Sequence, residues 1–193
     1  MKGTRFYLLA PFLLAIGAAA SCGPSFKSTM GVPEVRVGKK ADASSFEEST
    51  YVYIDEFIDA RPEKALAKRD KKLVNPADDV AAAAVNALKQ ALASKGFAYS
   101  ESAPVIISGE LREWLADVTG SLPTKVSANA AIYIEVLDPA NKKIYSGVYR
   151  GFSSMEAASV NEDDVKKTLS SSMEEAVLQV AADKQLVNLL GSF

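Results

Sequence analysis

The sequence predicts an α+β domain of two layers, a mostly antiparallel sheet of about four strands with two long helices packed on one face. Three observations predict it. Between Lys125 and Leu137, the residues Val126, Ala128, Ala130, Ile132, Ile134 and Val136 occupy alternate positions, the period of a half-buried strand. Residues 75–95 and 161–190 instead repeat apolar side chains at spacings of three and four, the period of an amphipathic helix. The order strand, helix, three strands, helix then lets both helices cover the same side of the sheet.

Ahead of that domain, Lys2 and Arg5 precede an apolar run, Phe6 to Ala20, that is interrupted by Pro11 and ends in small residues. This is the layout of a secretory signal peptide, and the run is shorter than the roughly 20 residues a spanning helix requires. Ala19-Ala20-Ser21-Cys22 resembles the lipobox of bacterial lipoproteins, in which the cysteine is acylated and becomes the first mature residue. Ala19 stands where the usual leucine would be, and ordinary cleavage after Ala18-Ala19-Ala20 would also satisfy the small-residue rule. An isolated cysteine in an exported chain otherwise needs an intermolecular partner or a reason to stay free. Gly23 follows it where an aspartate would resemble the inner-membrane retention signal, so the resemblance implies the outer membrane. The reading is therefore residues 1–21 as signal peptide, 22–50 as lipidated Cys22 and flexible tether, and 51–193 as one domain.

Of the 193 residues, those after residue 21 carry 20 basic and 24 acidic side chains, a charge of −4. Neither that sign nor its distribution along the chain supplies the basic patch that nucleic acid or an anionic lipid surface rewards, so no nucleic-acid partner is expected. With one cysteine and no histidine, disulfide frameworks, thiolate or imidazole metal sites, histidine-based triads and histidine switches are excluded. No cofactor is expected.

Residues 23–50 mix Gly, Pro, Ser, Thr and Lys, a tether composition in which Val32, Val35 and Val37 allow one short edge strand. Tyr51 to Phe57 is rich in β-branched and aromatic residues and reads as the first strand, closed by Asp59-Ala60-Arg61-Pro62. The charged stretch from Glu63 to Lys72 lacks an apolar stripe and reads as a loop or surface turn. Asn75-Pro76 then opens the first helix, with Asp78 and Asp79 near its positive end and Gly96 as its left-handed stop. Val105 to Val118 places Val105, Ile107, Leu111 and Leu115 on one face, with Glu113 marking a bulge or a frayed half. After the turn at Asp138-Pro139-Ala140-Asn141, Lys143 to Ser153 returns with Ile144, Val148 and Phe152 inward. One long final helix starts at Asn161 with Glu162, Asp163 and Asp164 in its first turn.

Over roughly residues 35–190 the chain resembles the YajG family of bacterial lipoproteins. The strand ending in Asp59-Ala60-Arg61, the Leu73-Val74 step, Lys95-Gly96-Phe97, the strand around Lys125 to Ile134 and the final helix carry the likeness. It implies a periplasm-facing outer-membrane lipoprotein without an established reaction, and it supplies no ligand.

Three constellations are candidates for chemistry. Asp59 and Arg61, just beyond a strand, either bind a polar ligand group or pair with each other to fix the loop. Glu110, Glu113 and Asp117 offer carboxylates for hydrolysis of an envelope polymer, but in a regular strand Glu110 and Glu113 point to opposite faces. If Ile132 and Ile134 point to the core, Tyr133 points away, and Trp114, Tyr145 and Tyr149 join it in an aromatic stripe opposite the helices. Such a stripe either contacts an envelope protein partner or packs across strands. A non-catalytic binding or assembly module, held to the membrane through Cys22, is the favoured function, with the hydrolase as its alternative.

Overall fold

The computed structural model describes residues 27–38 and 50–193. Cys22 and the signal-peptide reading lie outside the described residues. Along the chain run β1 (Thr29–Met30), β2 (Thr50–Ile54), β3 (Ile58–Asp59), β4 (Ala67–Arg69), β5 (Lys72–Pro76), α1 (Val80–Ala93), β6 (Phe97–Tyr99), β7 (Ile106–Thr119), β8 (Thr124–Leu137), β9 (Lys143–Ala157), α2 (Glu162–Ala182) and α3 (Lys184–Leu190).

The expected sheet of about four mostly antiparallel strands with two long helices is thereby corrected to a mixed sheet of nine strands and three helices among the described residues. The long strands β7, β8 and β9 form the anticipated antiparallel meander. The difference lies on the other edge of β7, where β2, β3 and β4 dock in succession, each parallel to it. β4 turns back through Asp70-Lys71 as the hairpin partner of β5, which pairs in parallel with β1, and β6 pairs in parallel with β2. Strands of two to five residues complete too little of a period-two pattern to announce themselves, and their pairing is set by backbone bonding, of β2, β3 and β4 to β7, of β5 to β4 and of β1 to β5. The charged stretch read as a loop is the β4–β5 hairpin, turned by Asp70 at φ 54°.

Local chemistry explains the helix ends. Asn75-Pro76 ends β5 and does not open α1; the cap is Asp79, whose carboxylate accepts from the Ala81 and Ala82 amides at 2.8 and 3.2 Å. Gly96, at φ 93°, provides the expected stop. Asn161 and Asp164 form a reciprocal capping box at the start of α2. The single long final helix is instead two, because Asp183 ends α2 and uses its side chain to cap α3 through the Gln185 and Leu186 amides.

α2 covers β7, β8 and β9, where β8 buries Val126, Ala128, Ala130, Ile132, Ile134 and Val136, and α1 packs beside α2 over β3, β6 and β7. Part of the stretch read as tether belongs to the packed domain. Met30 and Val35 are buried, and Gln90 of α1 both donates to the Val35 carbonyl and accepts from the Val37 amide, while α2 binds the same segment through Ser170 and Glu174.

In β9 the expected phase is reversed. Val148 and Phe152 are exposed, and Gly147, Tyr149 and Gly151 face α2. A β-carbon on Gly151 would collide with the Ser172 carbonyl oxygen and lie 2.6 Å from the Ala176 amide nitrogen, so the helix backbone rests directly on the strand. Gly151→Ala is therefore expected to destabilise the domain by about 2 kcal/mol, the scale of overpacking in a close-fitting core. Urea denaturation checks it; an unchanged midpoint would show that α2 can lift from β9 freely.

Candidate functional site

The face of β7, β8 and β9 turned away from the helices is built by register. Ile58, Glu110, Tyr133 and Val148 form one row across four strands, Glu113, Ala131 and Arg150 the next, and Leu115, Asn129 and Phe152 a third. Ile58 is 67% exposed, Phe152 55% and Val148 44%.

A bulge between Leu111 and Glu113 makes this arrangement. The extra residue, Arg112, shifts the alternation so that Trp114 joins Leu111 on the helix face and Leu115 moves to the outer face. For the same reason Glu110 and Glu113 share the outer face and do not oppose each other. Each is engaged by an arginine: Arg112 Nε donates to Glu110 at 2.8 Å, and Arg150 lies 3.8 Å from Glu113. The Arg112 guanidinium also sits 4.2 Å above the Tyr133 ring, whose hydroxyl donates to Glu135 at 3.1 Å. Asp117 is exposed on the same open surface.

Of the expected aromatic stripe only Tyr133 is therefore on the outer face. Trp114 is fully buried and donates its indole N–H to the Leu169 carbonyl of α2 at 3.0 Å. Tyr145 and Tyr149 face the helices, where both hydroxyls donate to Asp183 Oδ2 at 2.7 and 2.9 Å and lie 2.6 Å apart. Burial, then hydrogen bonding to Tyr145 and Asp183, raises the Tyr149 phenol well above its usual range, so it stays a neutral donor. Burial works against the Asp183 charge, but the Tyr145 and Tyr149 hydroxyls and the α3 amides outweigh it and hold the carboxyl below its usual value. The trio ties the α2–α3 junction to β9.

Asp59 and Arg61 are brought together as the local pair. The Arg61 guanidinium is buried, grips both Asp59 oxygens at 2.9 and 3.1 Å, and donates to the carbonyls of Lys64, Ala65 and Trp114. The Trp114 bond has a structural origin. β3 leaves β7 after Leu111 and β4 rejoins it at Ala116, and Arg61 supplies a donor to the strand edge in the gap. Desolvation raises the Asp59 carboxyl, yet the hydrogen bonds and charge of Arg61 prevail and hold it low.

Sequence reasoning missed Ile58, Val148 and Phe152 as surface residues. Gly147 and Gly151 in β9 were the available signal, since the first leaves room for the Tyr149 ring and the second for the α2 backbone, both on the inward face.

A two-layer domain with a mixed sheet, one face sealed by helices and the other open and partly apolar, is the class of protein this geometry defines. Residues 49–191 match the family described as uncharacterized lipoprotein, and the chain belongs to that family, the YajG-type lipoproteins. No catalytic function is indicated for the family. The fold is similar to that of XCC0632 from Xanthomonas campestris, with 11% identity, a TM-score of 0.62, and 85% of this chain and 98% of that chain covered. It is also similar to a solved uncharacterized protein at 10% identity and a TM-score of 0.51, covering 82% and 99%. A minor lipoprotein from Acinetobacter baumannii aligns at 13% identity and a TM-score of 0.42, over 74% and 93% of the two chains. No curated protein matches the sequence.

Proposed function

We propose that the chain is exported, acylated at Cys22, held at the inner leaflet of the outer membrane, and works there as a non-catalytic module that binds another envelope protein. The observation that carries the binding part is the outer sheet face, where Ile58, Tyr133, Val148 and Phe152 sit among alternating arginines and glutamates with no layer over them among the described residues. Apolar groups rimmed by paired charges form the pattern of a protein contact surface, and aromatic side chains contribute disproportionately to such contacts. The hydrolase reading gains nothing from the geometry, because Glu110, Glu113 and Asp117 lie on an open surface, and the two glutamates are engaged by arginines.

A photoreactive residue in place of Phe152 is expected to crosslink the mature protein to a discrete envelope protein in intact cells. Val148→Asp with Phe152→Asp should reduce capture of that same protein by tenfold or more, about 1.4 kcal/mol or above, while the melting temperature stays within a few degrees. Undiminished capture by the double variant would remove this face from the functional account.

A further inference from the structure

We propose that the end of the sheet bearing the β4–β5 and β7–β8 turns is a contact surface for the anionic phospholipid headgroups of the bilayer that holds the anchor; this rests on the reading of Cys22 as acylated. Chain direction is the first argument. β1 runs parallel to β5, with Thr29 opposite Asn75, Met30 opposite Pro76, and the Asn75 amide donating to the Ser28 carbonyl at 3.0 Å. Followed backwards, the chain from Thr29 through Ser28 to Lys27 therefore heads toward Lys72 and the β4–β5 turn. The five peptide steps between Cys22 and Lys27 span at most about 18 Å. An acyl group on Cys22 thus holds this end of the domain against the membrane.

The second argument is what that end presents. The β4–β5 hairpin carries Lys68, Arg69, Lys71 and Lys72 around its turn, and Lys27 and Lys125 are exposed beside them. Arg69 is in register with Val118, which brings the β7–β8 turn alongside. At the tip of that turn Leu122 is 77% exposed, and Leu73 on the hairpin is 41% exposed. The acidic groups at this end are Asp70 in the hairpin turn, Asp117 opposite Lys68, Glu156 opposite Lys125, and, in the first turn of α2, Glu162, Asp163 and Asp164, with Glu162 bridged to Lys166 at 2.8 Å and Asp164 engaged in the capping box with Asn161. The β4–β5 turn is net basic on a chain that is net acidic: Lys68, Arg69, Lys71 and Lys72 lie within five consecutive residues around Asp70, and the pairing of β5 with β1 and of β4 with β7 sets Lys27 and Lys125 beside them. Basic side chains flanking an exposed leucine suit the boundary between anionic headgroups and acyl chains. Acyl chains already give affinity, so the contact would fix orientation, standing the β7–β9 sheet upright from the bilayer with its outer face open to a partner.

The test uses the mature chain with Cys22→Ser, which carries no lipid, sedimented at low ionic strength with vesicles of phosphatidylglycerol and phosphatidylcholine or of phosphatidylcholine alone. Binding at least tenfold greater to the anionic vesicles is expected. Lys71→Glu with Lys72→Glu should abolish most of that difference, whereas Lys142→Glu with Lys143→Glu, the same charge change at the β8–β9 turn on the opposite end, should preserve it. Thermal melts of both doubles confirm that they are folded. Equal loss in the two doubles, full retention in both, or indifference of the parent chain to phosphatidylglycerol overturns the proposal. The mass of the wild-type mature chain decides the anchor separately: absence of fatty acid there removes the anchor reading, and a lipidated chain whose Cys22→Ser form ignores anionic vesicles removes the contact surface alone.

Discussion

Trp114→Ala is expected to destabilise the domain by about 4 kcal/mol, the cost of truncating a large buried aromatic, and to lower the melting temperature by about 10 °C for a domain of this size. The side chain is fully buried between β7 and α2, and its indole N–H is bonded to the Leu169 carbonyl. Removing it leaves a cavity beneath α2 that β7, pinned along its long ladder with β8, cannot collapse to fill. Trp114→Phe should be far milder, about 1 kcal/mol. It keeps most of the apolar volume, and the Leu169 carbonyl retains the Ser172 hydroxyl at 2.8 Å. Chemical denaturation measures both, and crosslinking to the outer-face partner, normalised to folded protein, should be unchanged in each. A stable Trp114→Ala protein that lost capture would return this residue to the contact surface.

Arg61→Ala is expected to destabilise by about 3 kcal/mol, the lower end of the range for breaking a buried pair. Its guanidinium serves the Trp114 and Ala65 carbonyls in the break between β3 and β4, and alanine would leave both buried acceptors without that donor. Asp59 is less critical because it is partly solvated and has Lys64 at 3.4 Å as a second cation. Arg61→Lys should not rescue, since one ammonium cannot span a bidentate carboxylate and three carbonyls. The pair also has a pH signature. The Asp59 carboxyl is held below its usual value, so its contribution is complete above the unfolded value near about 4 and disappears as pH falls through the lower folded value. Wild type should thus lose stability on acidification by a component that Arg61→Ala lacks. Parallel acid dependence in the two proteins would show that Asp59 draws its stabilisation from elsewhere.

Both residues were candidates for ligand binding when read along the chain, and the structure uses both to hold β7. A tryptophan on a strand and an arginine two residues from an aspartate are each compatible with a surface or a core role until the neighbouring elements are known. The local pairing of Asp59 and Arg61 was legible because two residues of separation suffice for it. Its burial was not, because the carbonyl it reaches belongs to Trp114, far along the chain.

What the sequence by itself determined is what depends on near neighbours. The alternation of β8, the helix start at Asn161, the stop at Gly96 and the turn at Asp138 are set by residues within a few positions of one another and stand in the structure, while the two helical stripes stand with a later start at Val80 and a break at Asp183. The tertiary structure alone decided the parallel docking of β2, β3 and β4 along β7, the phase of β9 and the side on which each tyrosine falls. A period-two pattern permits two phases; the approach of α2 onto Gly151 selects the phase of β9, and the bulge at Arg112 selects that of the second half of β7. The basic run from Lys68 to Lys72 was already in the sequence, but only the pairing of β1 with β5 and of β4 with β7 set Lys27 and Lys125 beside it, because residues so far apart along the chain meet only through strand register.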